Sequence, residues 1–563
     1  MRKLNINRLT RAGLKYTLMA GVGGGVFVSI AIAQVPNADA PLKLRTDYLG
    51  YAASASTRFT YSDNINLERG ALADDEFIFS TQLTGGAIVS TPRVTGIILG
   101  DLDFSFFADD SDLVINQNIG LTSTVTGVDN YLYLDISGQT SRQLIGDNAR
   151  FSGNVNAGRG QRANVHSYTA SPYIYHRMAD QAAVELRYRW AQIFVDDANT
   201  DFNPTRGSFL NDSRSHEVLA SYESGNTIDR FRFRATAYGI ETVDSGSDIF
   251  PIPFEYRQGS ISTDAEFALS SKFSLSGGVG YDEVETDQAA ALFFDADALS
   301  GLFWRAGFTA RPNRRARVRV EYGKRYDDDF IDANIYYELS NRFVFTAAAG
   351  RSFQTRAQTI SSQFRANQRQ TLDFADRLRE GQEISPRSVV DAANRFAGVS
   401  SGNAQTIGLG TTNSASAALN GAFDRTNVSL SGNYSDTDFG FRQIETYGVN
   451  LNLRRRVSRR LDAFAGMNWR RTDTSIDPAS CLSEPRIFGF DASDPLFNPA
   501  VECASLAVSS GLSNTVSVSA GAAYRVYKNV SAYVEVAHTE RFAPNPLLEY
   551  DENTVTLGFT LDL

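Results

Sequence analysis

From Gly50 onward, apolar and polar residues alternate with a period of two over segments of about 12 to 14 residues. In residues 183–190, 229–238 and 315–322, one face carries Val, Leu, Phe, Ala, Tyr or Trp and the other carries mainly Arg, Glu or Thr. Successive side chains of a strand point to opposite faces. Each segment therefore predicts a β-strand with one apolar and one polar face, which fits either a soluble sandwich or a membrane barrel.

The connectors distinguish these two folds. Short connectors, such as Pro92-Arg93, residues 312–314 and residues 458–460, alternate with longer acidic ones. The acidic runs are Asp74-Asp75-Glu76, Asp109-Asp110, Asp196-Asp197, Asp282-Glu283 and Asp327-Asp328-Asp329. Outer-membrane barrels have short periplasmic turns and longer extracellular loops. The sequence therefore predicts an all-β fold, an antiparallel up-and-down transmembrane β-barrel over residues 50–563 with about 22 strands (20–24) and both termini in the periplasm.

The N-terminus predicts export. Five basic residues, the last of them Lys15, precede or enter an apolar, glycine-rich run that ends at Ala33. Ala31-Ile32-Ala33 is a small-residue cleavage pattern, so residues 1–33 read as a cleaved signal peptide and 34–49 as a short periplasmic segment. The alternative is an uncleaved membrane anchor. The expected location is the cell outer membrane of a Gram-negative bacterium.

The chain ends inside its last predicted strand. Apolar residues occupy every second position from Val555 to Leu563. This end resembles the C-terminal signal read by the β-barrel assembly machinery, with Phe559, Leu561 and Leu563 as its residues, although that signal usually closes on Phe. The expected partners are therefore the assembly machinery, outer-membrane lipid and lipopolysaccharide.

Two connectors are too long for ordinary loops. Residues 356–407 have helix-compatible spacing and predict either a segment folded into the pore or an outer cap. Residues 474–511 form a second loop that holds Cys481 and Cys503, which are the two cysteines of the chain. In an exported protein these form a disulfide, or else remain free thiols.

Charge gives the predicted lumen its chemistry. The net charge of −10 becomes −10 − 5 = −15 once the five basic residues of the signal peptide are removed, and an acidic chain does not predict a nucleic-acid partner. The predicted lumen-lining residues are Arg187, Arg189, Arg230, Arg232, Arg234, Arg315, Arg317, Arg319 and Arg470. They either favour the passage of anions or pair with lumen acids such as Glu185, Glu321 and Asp462 and stiffen the wall.

Enzyme chemistry is not indicated. The chain has four histidines and lacks a nucleophile elbow, a phosphate-binding glycine loop and an HExxH motif. We therefore predict no enzyme activity and no catalytic, cofactor-binding or metal-binding residues.

Three short motifs suggest a family. Residues 60–67 (TYSDNINL), 271–275 (SKFSL) and 341–345 (NRFVF) resemble the β-barrel porins encoded in exopolysaccharide loci, including those associated with PEP-CTERM/exosortase systems. The resemblance implies a channel for surface polysaccharide export, with anionic polysaccharide as a partner. The residues alone also fit passage of other anionic solutes, or a structural or adhesive barrel whose lumen is closed by residues 356–407.

Overall fold

The structure is a computed structural model. It describes residues 49–109, 111–144, 150, 152–154, 156–158, 162–179, 181–196, 212–225, 230–245, 253–287, 296–355, 409–438, 442–476, 482, 498, 500–501, 503 and 511–563. The predicted signal peptide and insertion 356–407 lie outside this part of the chain and stay predictions.

Twenty-two strands make up a single sheet, as the alternation predicts. They are β1 Leu49–Ser62, β2 Glu76–Ser90, β3 Val94–Phe107, β4 Asp112–Val128, β5 Leu132–Leu144, β6 Arg162–Arg177, β7 Ala183–Asp196, β8 Ser213–Glu223, β9 Phe231–Asp244, β10 Phe254–Ser270, β11 Phe273–Thr286, β12 Gly301–Ala310, β13 Ala316–Arg325, β14 Asp328–Ser340, β15 Phe343–Thr355, β16 Leu409–Ala422, β17 Thr426–Asp438, β18 Arg442–Arg456, β19 Leu461–Ile476, β20 Ser513–Tyr527, β21 Val530–Phe542 and β22 Tyr550–Asp562.

The sheet closes on itself. Each strand pairs antiparallel with the next one along the chain, and β1 pairs with β22 from Ser54↔Asp562 to Ser62↔Thr554. The turns at one end are short, as between β10 and β11 or between β14 and β15, and Leu49 and Leu563 lie at this same end. The predicted 22-strand barrel is confirmed, and the short-turn end corresponds to the periplasmic end of the prediction.

The two faces of the wall differ sharply. In β22, Leu557 and Phe559 are 52% and 54% exposed, whereas the alternate residues Thr556 and Thr560 are 9% and 2% exposed. Buried polar and exposed apolar residues recur in this way around the barrel. The outer face is thus a continuous apolar band, far larger than a soluble monomer exposes.

Helical structure is sparse in the described ranges. A short α-helix, α1 (Ala296–Leu299), precedes β12, and 3-10 turns span Gly70–Leu72 and Pro546–Leu548. Leu482, Ala500, Val501 and Cys503 are also helical. No helix among the described residues is long and apolar enough to cross a membrane.

Two of the acidic runs differ from the prediction that they belong to long loops. Asp282 and Glu283 lie within β11, and Tyr326-Asp327 is a two-residue turn between β13 and β14. Asp282 is 1% exposed because it faces inward and pairs with Arg325. Acidity alone does not distinguish a loop carboxylate from one that neutralises an inward arginine. Lys324 Nζ donates to Asp327 at 2.8 Å, and this hydrogen bond lowers the pKa of Asp327.

Candidate lumen and mouth

The inner wall carries arginines on the strands where alternation predicted them. Seven of the nine predicted arginines lie on strands and share the face of buried polar residues: Arg187, Arg189, Arg232, Arg234, Arg317, Arg319 and Arg470. The other two do not lie on strands, and their lumen-lining role stays a prediction. Arg230 and Arg315 are exposed residues of the turns that precede β9 and β13. β9 begins at Phe231 and β13 at Ala316, so each strand starts one residue after its arginine. In the turn before β9, Arg230 has a φ of 64°.

Arg187 shows what these arginines contact. Its Nε donates to Glu185 at 2.6 Å and its Nη1 to Asp135 at 2.8 Å. Its guanidinium carbon lies 3.7 Å from the ring centroid of Tyr173. The planar guanidinium suits this combined pairing and stacking, so Arg187 ties β5, β6 and β7 together across the inner face.

Other inward arginines also pair with carboxylates. Arg189 pairs with Glu217, and Arg234 pairs with Glu223. Arg319 Nη2 donates to Glu321 at 2.8 Å. Both alternatives for the predicted arginines therefore apply in part. The wall is rich in guanidinium groups, as passage of anions would require, but acids lie beside several of them and neutralise part of their charge. Such a wall has a weaker field for anions than free arginines would have.

Further ion pairs extend this belt beyond the predicted set. Arg305 Nη2 donates to Asp264 at 2.5 Å, and Arg454 Nη2 donates to Asp462 at 2.8 Å. Asp462, one of the acids expected to neutralise the wall, thus pairs with an arginine that the sequence analysis did not single out. The partners stand eight or more positions apart in sequence, so only the strand register brings them together.

The longer-loop end of the barrel is partly covered from within. Residues 63–75, between β1 and β2, place Ile65 and Leu67 against the inward residues Ile78 and Phe107. Leu67 is 0% exposed although it belongs to a connector. These residues form an apolar cluster inside the mouth, which would not arise if the connector projected outward into water.

A second connector, between β5 and β6, joins this cluster. The backbone N–H of Gly158 donates to the carbonyl of Ile65 at 2.9 Å. Gly158 has a φ of 63°, and a Cβ there would lie 3.2 Å from the Leu67 side chain, so glycine suits this contact. Asn156 Nδ2 donates to Ser105 on β3 at 3.1 Å. We call residues 150, 152–154 and 156–158 the mouth segment.

Glu552 of β22 anchors the mouth segment. Ser62 Oγ of β1 donates to its Oε1 at 2.6 Å, Ser152 Oγ donates to its Oε2, and Asn154 Nδ2 donates to its Oε1 at 3.2 Å. Glu552 is 1% exposed, so these are hydrogen bonds to a buried carboxylate. Bonds of this kind are stronger than those between neutral groups.

Three buried arginines belong to the mouth. Arg150 Nη1 donates to Glu68 at 2.7 Å and to the carbonyl of Leu67 at 2.8 Å. Arg541 bonds to the hydroxyl of Tyr550, and Arg162 interacts electrostatically with Tyr550 and Glu552. The mouth is therefore a packed polar and apolar assembly with several guanidinium groups.

The mouth segment was missed by the sequence analysis, which considered only residues 356–407 as a segment folded into the pore or an outer cap. Residues 150–158 contain no apolar periodicity and read as an ordinary polar loop. The inward position of the mouth segment depends on Glu552, which is 400 positions from Ser152. No pattern in the neighbouring sequence predicts such a contact.

The remaining predicted sites are placed as follows. Phe559, Leu561 and Leu563 are exposed on the outer face of β22 or at its end, and their role as an assembly signal stays a prediction. Cys503 is buried and disulfide-bonded, whereas its predicted partner Cys481 lies outside the described residues. In the described ranges, no group of three or more His, Cys, Asp or Glu side chains could hold a metal ion.

A closed antiparallel barrel with a lipid-compatible outer face and a charged inner face defines an integral β-barrel protein of the bacterial outer membrane. No protein-family model matches the chain, and no curated protein matches it.

Solved structures do match. The siderophore receptor PirA of Acinetobacter baumannii is 8% identical with a TM-score of 0.46, covering 91% of this chain and 80% of the receptor. The ferric-catecholate import receptor Fiu of E. coli K12 is 11% identical with a TM-score of 0.46, covering 92% and 82%. Both similarities are too weak to carry an argument about function.

Proposed function

We propose that this protein is an outer-membrane channel for hydrophilic solutes that carry anionic groups, with extracellular polysaccharide among them. The observation that supports it most is the inner wall, where arginines lie on strand after strand while the outer face is apolar. A polar interior is the property that makes a wide barrel conduct water and solutes.

The ion pairs refine the expected selectivity. Each guanidinium has five N–H donors, and the Arg319–Glu321 pair uses one of them at 2.8 Å. Guanidinium groups suit the carboxylate or phosphate groups of a passing solute, but the neighbouring acids reduce the net field. We therefore expect a modest preference for anions. The polysaccharide itself is suggested by the family resemblance of residues 60–67, 271–275 and 341–345.

A second candidate is a structural or adhesive barrel with a closed lumen. The observation that favours it is the mouth, where Leu67 and the mouth segment pack inside the wall. Closure by residues 356–407 remains part of this candidate.

Planar-bilayer conductance separates the two candidates. The channel predicts a steady current whose reversal potential under a KCl gradient indicates anion preference, and added anionic oligosaccharide should reduce that current. A silent barrel that conducts after deletion of 356–407 would instead support the closed one. Cation preference together with indifference to the oligosaccharide would contradict the proposed substrate class.

A further inference from the structure

One arc of the inner wall carries no charge. Leu430 on β17 and Leu451 on β18 are exposed on the apolar outer face, and their register partners on β16 and β19 share that side. The alternate residues therefore face the lumen. Among the described residues of β16 and β17, no inward residue is charged. Their polar members are Thr412, Ser414, Ser416 and Asn420 on β16, and Asn427, Ser429, Ser431, Asn433, Ser435 and Thr437 on β17.

Strand register aligns these inward residues into rows that continue over β18, β19 and β20. One row consists of Ala418, Ser431, Asn450, Asn468 and Ser517, and the next consists of Asn420, Ser429, Asn452, Gly466 and Ser519. Neighbouring strands lie about 4.8 Å apart. Hydroxyl and amide groups therefore recur at short intervals over five strands. We call the residues of these two rows the uncharged wall.

The arc from β10 to β13 has a different chemistry. Arg305 pairs with Asp264 at 2.5 Å, and Arg319 pairs with Glu321 at 2.8 Å. A charged group loses more hydration energy than a hydroxyl or an amide when a solute displaces its water. An uncharged solute that carries hydroxyl groups should therefore contact the uncharged wall in preference to these ion pairs.

Two buried atoms of this uncharged arc lack a hydrogen-bond partner within the described part of the chain. Asn468 Nδ2 donates to Asn450 Oδ1 at 2.8 Å, but Asn468 Oδ1 has no partner there. Asn433, one row away, has none for its Nδ2, and its side chain extends across β18, because a Cβ on Gly448 would lie 2.4 Å from Asn433 Oδ1. Asn433 and Asn468 are 8% and 3% exposed. The arc thus holds one unsatisfied donor and one unsatisfied acceptor.

The unsatisfied donor and acceptor indicate the kind of ligand. A buried polar atom without a partner costs free energy, so a ligand that pairs with both atoms is favoured. A hydroxyl group both donates and accepts, whereas a carboxylate only accepts and an ammonium group only donates. The arc therefore suits a ligand that is rich in hydroxyl groups.

The uncharged wall continues from these buried atoms to groups that a solute can contact. Asn420 is exposed, and Ser429, Ser431 and Asn452 are half-buried. Ser429 Oγ donates to Asn420 Oδ1 at 2.8 Å. These four residues lie in the part of the wall near the short turn between β16 and β17.

We propose that the uncharged wall is a carbohydrate-binding surface that pairs with the hydroxyl groups of sugar rings. The proposal rests on the proposed channel function and adds the position of the ligand within the lumen. Sugar rings pass along β16 to β20, while anionic groups of the same solute face the arginines of the other arc.

Equilibrium dialysis tests this surface in the intact protein without requiring a current. The barrel is held in micelles of lauryldimethylamine oxide, a detergent without sugar groups, and dialysed against radiolabelled maltohexaose, a neutral oligosaccharide. We expect saturable enrichment of maltohexaose on the protein side. Labelled polyethylene glycol of similar size, which has no hydroxyl groups along its chain, should show none. Wild-type protein without saturable enrichment of maltohexaose would overturn the proposal.

Two double variants provide the matched comparison. S431A/N452A removes a hydroxyl and an amide from the uncharged wall and should weaken maltohexaose binding at least several-fold. S221A/N334A removes the same two groups from inward positions on β8 and β14 and should bind like the wild type. Heat-modifiable migration in gels verifies folding, and N420A, at an exposed position, is the second variant of the wall. An equal loss of binding in S431A/N452A and S221A/N334A would also overturn the proposal.

Conductance separates this surface from the channel itself. A barrel that conducts with anion preference but does not bind maltohexaose would overturn the carbohydrate surface and leave the channel standing. A silent barrel that binds maltohexaose, and loses that binding in S431A/N452A, would support the surface and contradict passage through the lumen.

Discussion

The mouth segment should leave its position when the side chains with which it binds Glu552 are removed. The double substitution S152A/N154A deletes the two hydrogen bonds that the segment donates to Glu552, while the bond from Ser62 at 2.6 Å stays in place. The electrostatic interaction of Glu552 with Arg162 also remains. The perturbation therefore loosens the segment and leaves the wall intact.

The magnitude follows from the acceptor. A hydrogen bond to a charged group contributes about 1.5–3 kcal/mol, and Glu552 is 1% exposed, which places both bonds in a poorly hydrated site. Hydration of a displaced segment recovers part of this, so we take roughly 3 kcal/mol for the pair. Since 1.4 kcal/mol is about a factor of ten in an equilibrium constant, the ratio of displaced to seated segment should rise about a hundredfold.

Single-channel recording is the assay. In S152A/N154A we expect a larger mean conductance or more frequent high-conductance events than in the wild type. S62A is the matched control, because it removes a bond to the same carboxylate from β1 instead of from the segment, and its conductance should be unchanged. Wild-type currents in S152A/N154A, or an equal increase in S62A, would refute the anchoring role of Glu552.

Three other outcomes are expected. Charge reversal at Arg232 and Arg317, both on the inner face, should shift the reversal potential toward cation selectivity, and unchanged selectivity would contradict their lumen placement. G307A should impair barrel assembly, seen as loss of heat-modifiable gel migration, because its Cβ would lie 2.1 Å from a backbone oxygen of the neighbouring strand; a fully assembled variant would contradict this. E321Q should lower the unfolding midpoint in urea, since it weakens the bond from Arg319 at 2.8 Å by on the order of 1 kcal/mol, and an unchanged midpoint would show that the pair is energetically neutral.

Strand number and the orientation of the wall were predictable from the sequence. A period of two is a local property, because each residue of a strand points opposite to its neighbours whatever the strand pairs with. For this reason Leu186 and Arg187 could be assigned to opposite faces before any pairing was known, and Leu186 is 50% exposed on the outer surface. The short turns, which set the up-and-down order, are equally local.

Contacts within the lumen were not predictable in the same way. Asp135 meets Arg187 from 52 positions away, and Ser152 meets Glu552 from 400 positions away. Strand register and the curvature that closes the barrel decide which charges neutralise one another. Neither can be derived from a local sequence pattern. The sequence by itself thus determined a 22-strand membrane barrel with arginines on its inner face. Only the tertiary structure decided that several of these arginines pair with acids and that the mouth segment binds Glu552, because both depend on strands brought together by closure.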